Sequence, residues 1–143
     1  MLVEINCESD FVARTDDFKD LIKDIAMHIA AADPKFVRKE DVTPEAYERE
    51  KEIYRAQAAA TDKPANIIEK MLEGKMAKFY EEVCLLEQPF VKEATLTIDQ
   101  LVKTKIAKLG ENISVSRFVR FKVGDVAAAE AGVDNPIPET DAP

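Results

Sequence analysis

The spacing of apolar residues predicts a short strand followed by an amphipathic helix near the start of the chain. Residues 2–7 alternate between apolar and polar side chains, which is the two-residue period of a strand. From residue 18 to residue 29, apolar side chains recur instead every three or four positions, as on one face of a helix. We expect this helix to end at Asp33, because Pro34 disfavours helical backbone in the residue before it.

Two further helical patterns predict an antiparallel helical hairpin over about residues 43–86. The first helix begins with a capping hydroxyl at Thr43 and a proline at the first helical position, Pro44. Its apolar stripe is thin, so we expect part of the hairpin to project into solvent. The second helix is more apolar, and its later half, from Met76 onward, is expected to return to the core.

The last patterned region predicts one more helix and one more strand. A helical pattern covers residues 97–109, and Gly110 follows it as the expected cap. Residues 113–123 alternate, with apolar side chains at the odd-numbered positions except Arg117. This period places the odd-numbered side chains inward and Phe118 on the outer, polar face, where an interface role and an ordinary exposed aromatic ring are both open.

These elements together predict an α+β fold class. We expect a small antiparallel sheet of about three strands, with helices packed on one of its faces and the helical hairpin projecting from it. Residues 1–124 are expected to form one domain. Residues 125–143 have no patterning and carry five acidic residues without any Lys or Arg, so we expect an acidic, disordered tail. The chain opens directly in strand-like sequence, which suggests a piece of a longer protein.

Composition and charge narrow the range of possible functions. The chain has 143 residues, of which 46% are hydrophobic and 34% charged, as in a water-soluble globular protein. Its net charge of −8 and its lack of Trp argue against direct nucleic-acid binding as the main activity. No apolar run is long enough to span a membrane. Two isolated cysteines, Cys7 and Cys84, are expected to be free thiols.

The residues that catalysis needs are scarce. His28 is the single histidine, and a structural role is the more common one for a histidine beside an apolar helical face. The two cysteines and His28 lack the spacing of metal ligands, and the four glycines form no phosphate-binding loop. We therefore expect a protein that binds a partner, not an enzyme, and one without a metal or other cofactor.

Residues 6–15, N-C-E-S-D-F-V-A-R-T, lie where the first strand passes into the first long helix. Phe11 in this segment is either the first core residue of that helix or a side chain presented outward. The helix does not require Phe11, because residues 18–29 already supply its inward face. The periodicity therefore allows Phe11 to face outward but does not decide between the two orientations.

Six segments of the chain resemble the translation elongation factor Ts family. They are V-E-I-N-C-E-S-D-F-V-A-R-T at 3–15, D-I-A-M-H-I-A at 24–30, E-K-M-L-E-G-K at 69–75, L-L-E-Q-P-F-V at 85–91, G-E-N-I at 110–113 and R-F-V-R-F at 117–121. They occur in the family's order between residue 2 and about residue 124. The chain is therefore identified as a member of that family, although Ser9 stands where Thr is usual.

The resemblance implies a guanine-nucleotide exchange factor for elongation factor Tu, a translational GTPase. Asp10 and Phe11 are then expected to enter the GTPase beside its nucleotide-bound magnesium, with Ser9 and Val12 shaping the turn that carries them. His28 and Val91 are implied as further contacts with this partner.

The resemblance also bears on assembly. The sequence is similar to the short form of the family, in which two chains associate through their sheets, so we expect a homodimer. Val115, Phe118 and Arg120 are the candidate interface residues. The family's N-terminal ubiquitin-associated-like helical module is not in this sequence, which is expected to weaken binding or exchange. The compartment implied is the bacterial cytoplasm, or the matrix or stroma of an organelle. A ribosome-associated or scaffold protein that keeps the fold without exchange activity is the alternative.

Overall fold

The structure, a computed structural model, describes residues 1–124, and the predicted acidic tail at 125–143 lies outside the described residues. The elements in chain order are β1 (Leu2–Asn6), α1 (Asp10–Ala13), α2 (Asp16–Ala32), α3 (Pro44–Ala59), α4 (Ala65–Val83), β2 (Pro89–Phe90), β3 (Glu93–Thr97), α5 (Ile98–Leu109) and β4 (Ser114–Val119). This mixture of helices and short antiparallel strands confirms the predicted α+β class.

The strands form two separate two-stranded sheets. β1 pairs with β4, and β2 pairs with β3, both antiparallel. The second sheet is a short local hairpin that leads directly into α5, since Thr97 is both the last residue of β3 and the N-cap of that helix. The predicted antiparallel pairing is therefore confirmed, and the strands are divided between two small sheets.

A β-bulge in β4 changes which side chains face the core. Ile5 pairs with Val115 and Glu4 pairs with Arg117, so the intervening Ser116 is an extra residue opposite β1. One extra residue reverses the alternation beyond it. Val115, before the bulge, is buried as its odd-numbered position predicts, whereas Phe118, beyond the bulge, packs against the core instead of facing outward.

The simple alternation predicted for residues 113–123 was wrong beyond this bulge. Val119 is 40% exposed, Phe121 80% and Val123 fully exposed, whereas all three were expected to face inward. Strand β4 itself ends at Val119. The reversal at Ser116 explains the outward Val119, and Phe121 and Val123 lie beyond the last paired residue.

The main core lies between α2, α5 and the β1–β4 sheet. Helix α2 contributes its predicted face, and Leu21, Ile25 and Ile29 are completely buried. Helix α5 contributes Ile98 and Val102. The remaining members of the buried cluster are Val12, Phe18, Val37, Leu85, Phe90, Ile113 and Val115. The apolar periodicity of both helices thus predicted the faces that they bury.

Helices α3 and α4 form the predicted antiparallel hairpin. Helix α3 buries one side chain, Ala58, which agrees with its thin apolar stripe. Tyr47 of α3 stacks on Tyr80 of α4 with ring centroids 5.9 Å apart. The end of α4 joins the core, since the following Cys84 is completely buried. Within residues 1–124 no helix is long and apolar enough to cross a membrane.

Candidate partner-binding site

Phe11 is presented to solvent by the four-residue helix α1. Phe11 is 81% exposed, whereas the adjacent Val12 is 7% exposed and belongs to the core cluster. Ser9 begins the helix in extended geometry, and its hydroxyl accepts the backbone N–H of Val12 at 3.3 Å. Val12 therefore anchors the short helix while Phe11 points away from the core.

Asp10 lies beside Phe11 at the start of α1 and is also exposed. Its carboxylate is 3.3 Å from the guanidinium of Arg14, one helical turn later, and both side chains are mostly solvent-accessible. An ion pair of this kind contributes little to stability. The Asp10 carboxylate can therefore change partners at little energetic cost.

A residue that sequence reasoning did not single out holds the start of this segment. The Glu111 carboxylate accepts hydrogen bonds from the Ser9 hydroxyl at 2.5 Å and from the Ser9 backbone N–H at 2.9 Å. Glu111 is part of the G-E-N-I motif. The sequence suggests no role for this motif, because Glu111 and Ser9 are 102 residues apart and no local pattern indicates their contact. Ser9, Asp10, Phe11, Val12 and Glu111 thus form one local structure, called the tip below.

His28 is completely buried. Its Nδ1 accepts the backbone N–H of Val91 at 3.2 Å, and its Nε2 lies 2.8 Å from Oε1 of Gln88. The amide nitrogen of Gln88 donates to the carbonyl of Glu82 at 2.7 Å, so the Gln88 oxygen faces His28 and the proton of the neutral imidazole is on Nε2. Burial lowers the pKa of His28, and the Gln88 hydrogen bond opposes part of that effect.

This burial bears on the direct partner contact expected of His28, which stays a prediction. A side chain without accessible surface is not available to a second protein in this conformation. Of the two hydrogen-bond partners of His28 described above, Val91 is accessible: it is 48% exposed in the turn between β2 and β3. The neighbouring Lys92 also ties this turn to α2, through an ion pair of 2.7 Å with Asp24. Val91 is therefore an accessible candidate contact, and His28 supports it from inside.

The three candidate dimer residues are occupied within their own chain. Val115 is 1% exposed, and Phe118 packs against the core. Arg120 donates to the carbonyl of Ala30 at 3.2 Å and pairs with Asp33 at 3.2 Å, so it joins the last strand region to the end of α2. Val115 in particular offers no surface to a second chain.

Other apolar side chains on or just after the β1–β4 sheet are accessible. Leu2 is 73% exposed and Val119 40%, and Phe121, two residues beyond the end of β4, is 80% exposed. Leu2 and Val119 line a surface depression of about 390 Å³ together with Val3, Glu4, Arg117 and Phe118. A second chain could cover these exposed apolar side chains at this end of the sheet, but not the buried Val115.

Comparison with known proteins identifies the family. The model of the family described as elongation factor TS matches residues 19–125. The chain is 68% identical over 139 residues to elongation factor Ts of Solibacter usitatus, an alignment that covers 97% of this chain and 66% of the relative. It is 74% identical over 131 residues to elongation factor Ts of Koribacter versatilis, covering 92% of this chain and 60% of the relative. The chain belongs to the elongation factor Ts family.

Membership of this family confirms the resemblance and assigns the chain to the translation elongation factors. The chain spans about two thirds or less of the length of the curated relatives it matches. The family model begins at residue 19, so it includes Glu111 of the tip but not residues 9–12. The Solibacter alignment covers all but four residues of the chain and therefore includes residues 9–12. The binding roles of Ser9, Asp10, Phe11, Val12, His28 and Val91 stay predictions.

Proposed function

We propose that this chain is a guanine-nucleotide exchange factor for elongation factor Tu and that the tip promotes GDP release. The observation that carries the proposal is the exposed Phe11 on a four-residue helix whose next residue, Val12, is anchored in the core. An aromatic side chain held outward on a fixed base is suited to enter a pocket on another protein. Burying one such side chain contributes about 1.5–3 kcal/mol.

Asp10 completes the proposed action. Its carboxylate is exposed and only weakly paired with Arg14, so it is free to approach a positively charged centre on the partner. GDP in a GTPase depends on a magnesium ion and on shaped phosphate-binding backbone. A wedge made of Phe11 with an adjacent carboxylate displaces the elements that hold both. No covalent bond is made or broken, so the proposed activity is not enzymatic.

Thermodynamic linkage relates the effect of this chain on GDP binding to the effect of GDP on binding of this chain. If this chain weakens GDP binding to its partner by some factor, GDP weakens binding of this chain by the same factor. Each tenfold change corresponds to about 1.4 kcal/mol. Only contacts that are stronger when GDP is loosened contribute to this coupling, and we assign such a contact to the tip.

Partner, assembly and compartment are part of the same proposal. The partner is elongation factor Tu, and Val91 is the second apolar side chain that we expect it to cover. Two chains associate through the accessible side of the β1–β4 sheet, with Leu2 and Val119 at the contact together with Phe121, which follows the end of β4. The relatives named above are bacterial, so the proposed compartment is the bacterial cytoplasm.

The test is the rate at which labelled GDP leaves elongation factor Tu, followed by fluorescence. We expect faster release with the wild-type chain and a loss of roughly thirtyfold in the Phe11→Ala variant, since a central aromatic contact is worth about 2 kcal/mol or more. Ile53→Ala is the matched control, because Ile53 is a 44% exposed apolar side chain on the helical hairpin. Equal losses in both variants, or no acceleration by the wild-type chain, would contradict the proposal. Binding without acceleration would favour a scaffold role.

A further inference from the structure

Glu111 and Glu8 join two loops that lie far apart in the sequence. Oε1 of Glu111 accepts the backbone N–H groups of Ser9 at 2.9 Å and Glu8 at 3.2 Å, and its Oε2 accepts the Ser9 hydroxyl at 2.5 Å. In return, Oε2 of Glu8 accepts the backbone N–H of Asn112 at 2.9 Å. Four hydrogen bonds thus connect residues 8–9 with residues 111–112, between α5 and β4.

The clamp formed by Glu8, Ser9, Glu111 and Asn112 acts on the first residue of the tip. Helix α1 has four residues, which is far too short to be stable by its own hydrogen bonds. Its N-cap is Ser9, and the same hydroxyl that caps the Val12 N–H also donates to Glu111. The orientation of the cap, and hence the start of the helix, is therefore set by a carboxylate outside it.

The tip is held at two points as a result. Val12 is fixed by burial in the core, and Ser9 is fixed by the clamp. Asp10 and Phe11 lie between these points, and the Phe11 side chain projects into solvent from there. Glu111 itself is half-buried, so its side chain has fewer alternatives than a fully exposed carboxylate.

We propose that Glu111 is a positioning residue for nucleotide exchange, acting through the orientation of Phe11; this rests on the proposed function. A contact segment that is already ordered loses less conformational entropy on docking than a flexible one. Release of Ser9 from the clamp leaves the fold intact but lets the start of α1 fray. Phe11 then enters the partner less often in the productive orientation.

A double-mutant cycle on the GDP release rate tests this mechanism. We expect Glu111→Ala to lower the accelerated rate about tenfold, equivalent to about 1.4 kcal/mol. In a Phe11→Ala background we expect the same substitution to change the rate less than twofold, because the clamp acts through the missing ring. Equal effects in the two backgrounds, or no effect in the wild-type background, would overturn the proposal.

Two further variants separate positioning from a general loss of charge or folding. Glu111→Gln retains an oxygen that accepts amide protons but replaces the acceptor of the Ser9 hydroxyl, so an intermediate rate is expected. Glu81→Ala removes an exposed carboxylate from the end of the helical hairpin and is expected to leave the rate unchanged. A Gln variant as slow as the Ala variant at equal thermal stability agrees with dependence on the hydroxyl acceptor; a Gln variant of wild-type rate excludes it.

A second measurement is independent of any partner. Hydrogen exchange of the Ser9 and Val12 amides in the free chain is expected to accelerate about tenfold in Glu111→Ala, while exchange of core amides in α2 stays unchanged. Unchanged exchange at Ser9 would refute the clamp even if GDP release slowed. If the wild-type chain does not accelerate GDP release, the proposed function fails, and the exchange rates of the Ser9 and Val12 amides still decide whether Glu111 holds the start of α1.

Discussion

Between pH 7.5 and pH 5, acidification is expected to destabilise this protein through His28. The neutral imidazole is completely buried, and both of its nitrogens are used: Nε2 donates to Gln88 and Nδ1 accepts the N–H of Val91. A second proton would have to sit on Nδ1, where it would face the Val91 N–H, so two donors would oppose each other. The folded state therefore resists protonation at this site.

The sign of the pH dependence follows from the lowered pKa. The ordinary value is 6.5, and burial lowers the pKa in the folded state. The stabilising contribution of neutral His28 is fully present above pH 6.5 and is lost progressively as the pH falls from there to the folded pKa. Over that interval the unfolded chain binds one proton more, so the free energy of unfolding falls by at most about 1.4 kcal/mol per pH unit.

The assay is urea unfolding of the wild-type chain and of His28→Gln between pH 7.5 and pH 5. His28 is the single histidine, so no other imidazole contributes. Among the carboxyl groups, hydrogen bonds to Arg117, Lys108 and Lys35 lower the pKa of Glu4, Asp17 and Asp33, which places these titrations below the window. We expect a decline in wild-type stability and a flatter profile for the variant. Parallel profiles would refute the reasoning.

Two further outcomes are expected. Burial raises the pKa of the Cys84 thiol to about 11, so the thiol stays protonated at pH 8. A thiol reagent is therefore expected to modify Cys7 in the native chain and both cysteines after denaturation. Fast modification of Cys84 in the native chain would contradict this expectation. For the proposed dimer, light scattering is expected to give twice 16.0 kDa for the wild-type chain and a lower mass for Phe121→Asp, with Ile53→Asp as the control. A wild-type monomer at micromolar concentration would exclude the dimer.

The segments that bury a regular face could be predicted from the sequence. The apolar period of α2 identified Leu21, Ile25 and Ile29 before any contact was known, and Thr43 with Pro44 marked the start of α3. These signals are local, because a helix carries its period and its cap within neighbouring residues. The family could likewise be identified from short segments in order.

Three features depended on contacts that no local pattern contains. The bulge at Ser116 arises from pairing with β1, more than a hundred residues earlier, and it reverses the faces expected for Phe118 and Val119. The burial of His28 depends on Gln88, sixty residues away in the sequence. The contact of Glu111 with Ser9 spans 102 residues. Each brings together residues whose own surroundings in the sequence look ordinary.

Phe11 shows both contributions in one residue. The sequence by itself determined that α2 had enough apolar residues without it, and therefore that an outward Phe11 was permitted. Only the tertiary structure decided the outcome, because Val12 inserts into the core and Ser9 is held by Glu111, which leaves the ring between them in solvent. The physical reason is that burial and long-range hydrogen bonds belong to the folded chain as a whole, whereas periodicity belongs to the segment.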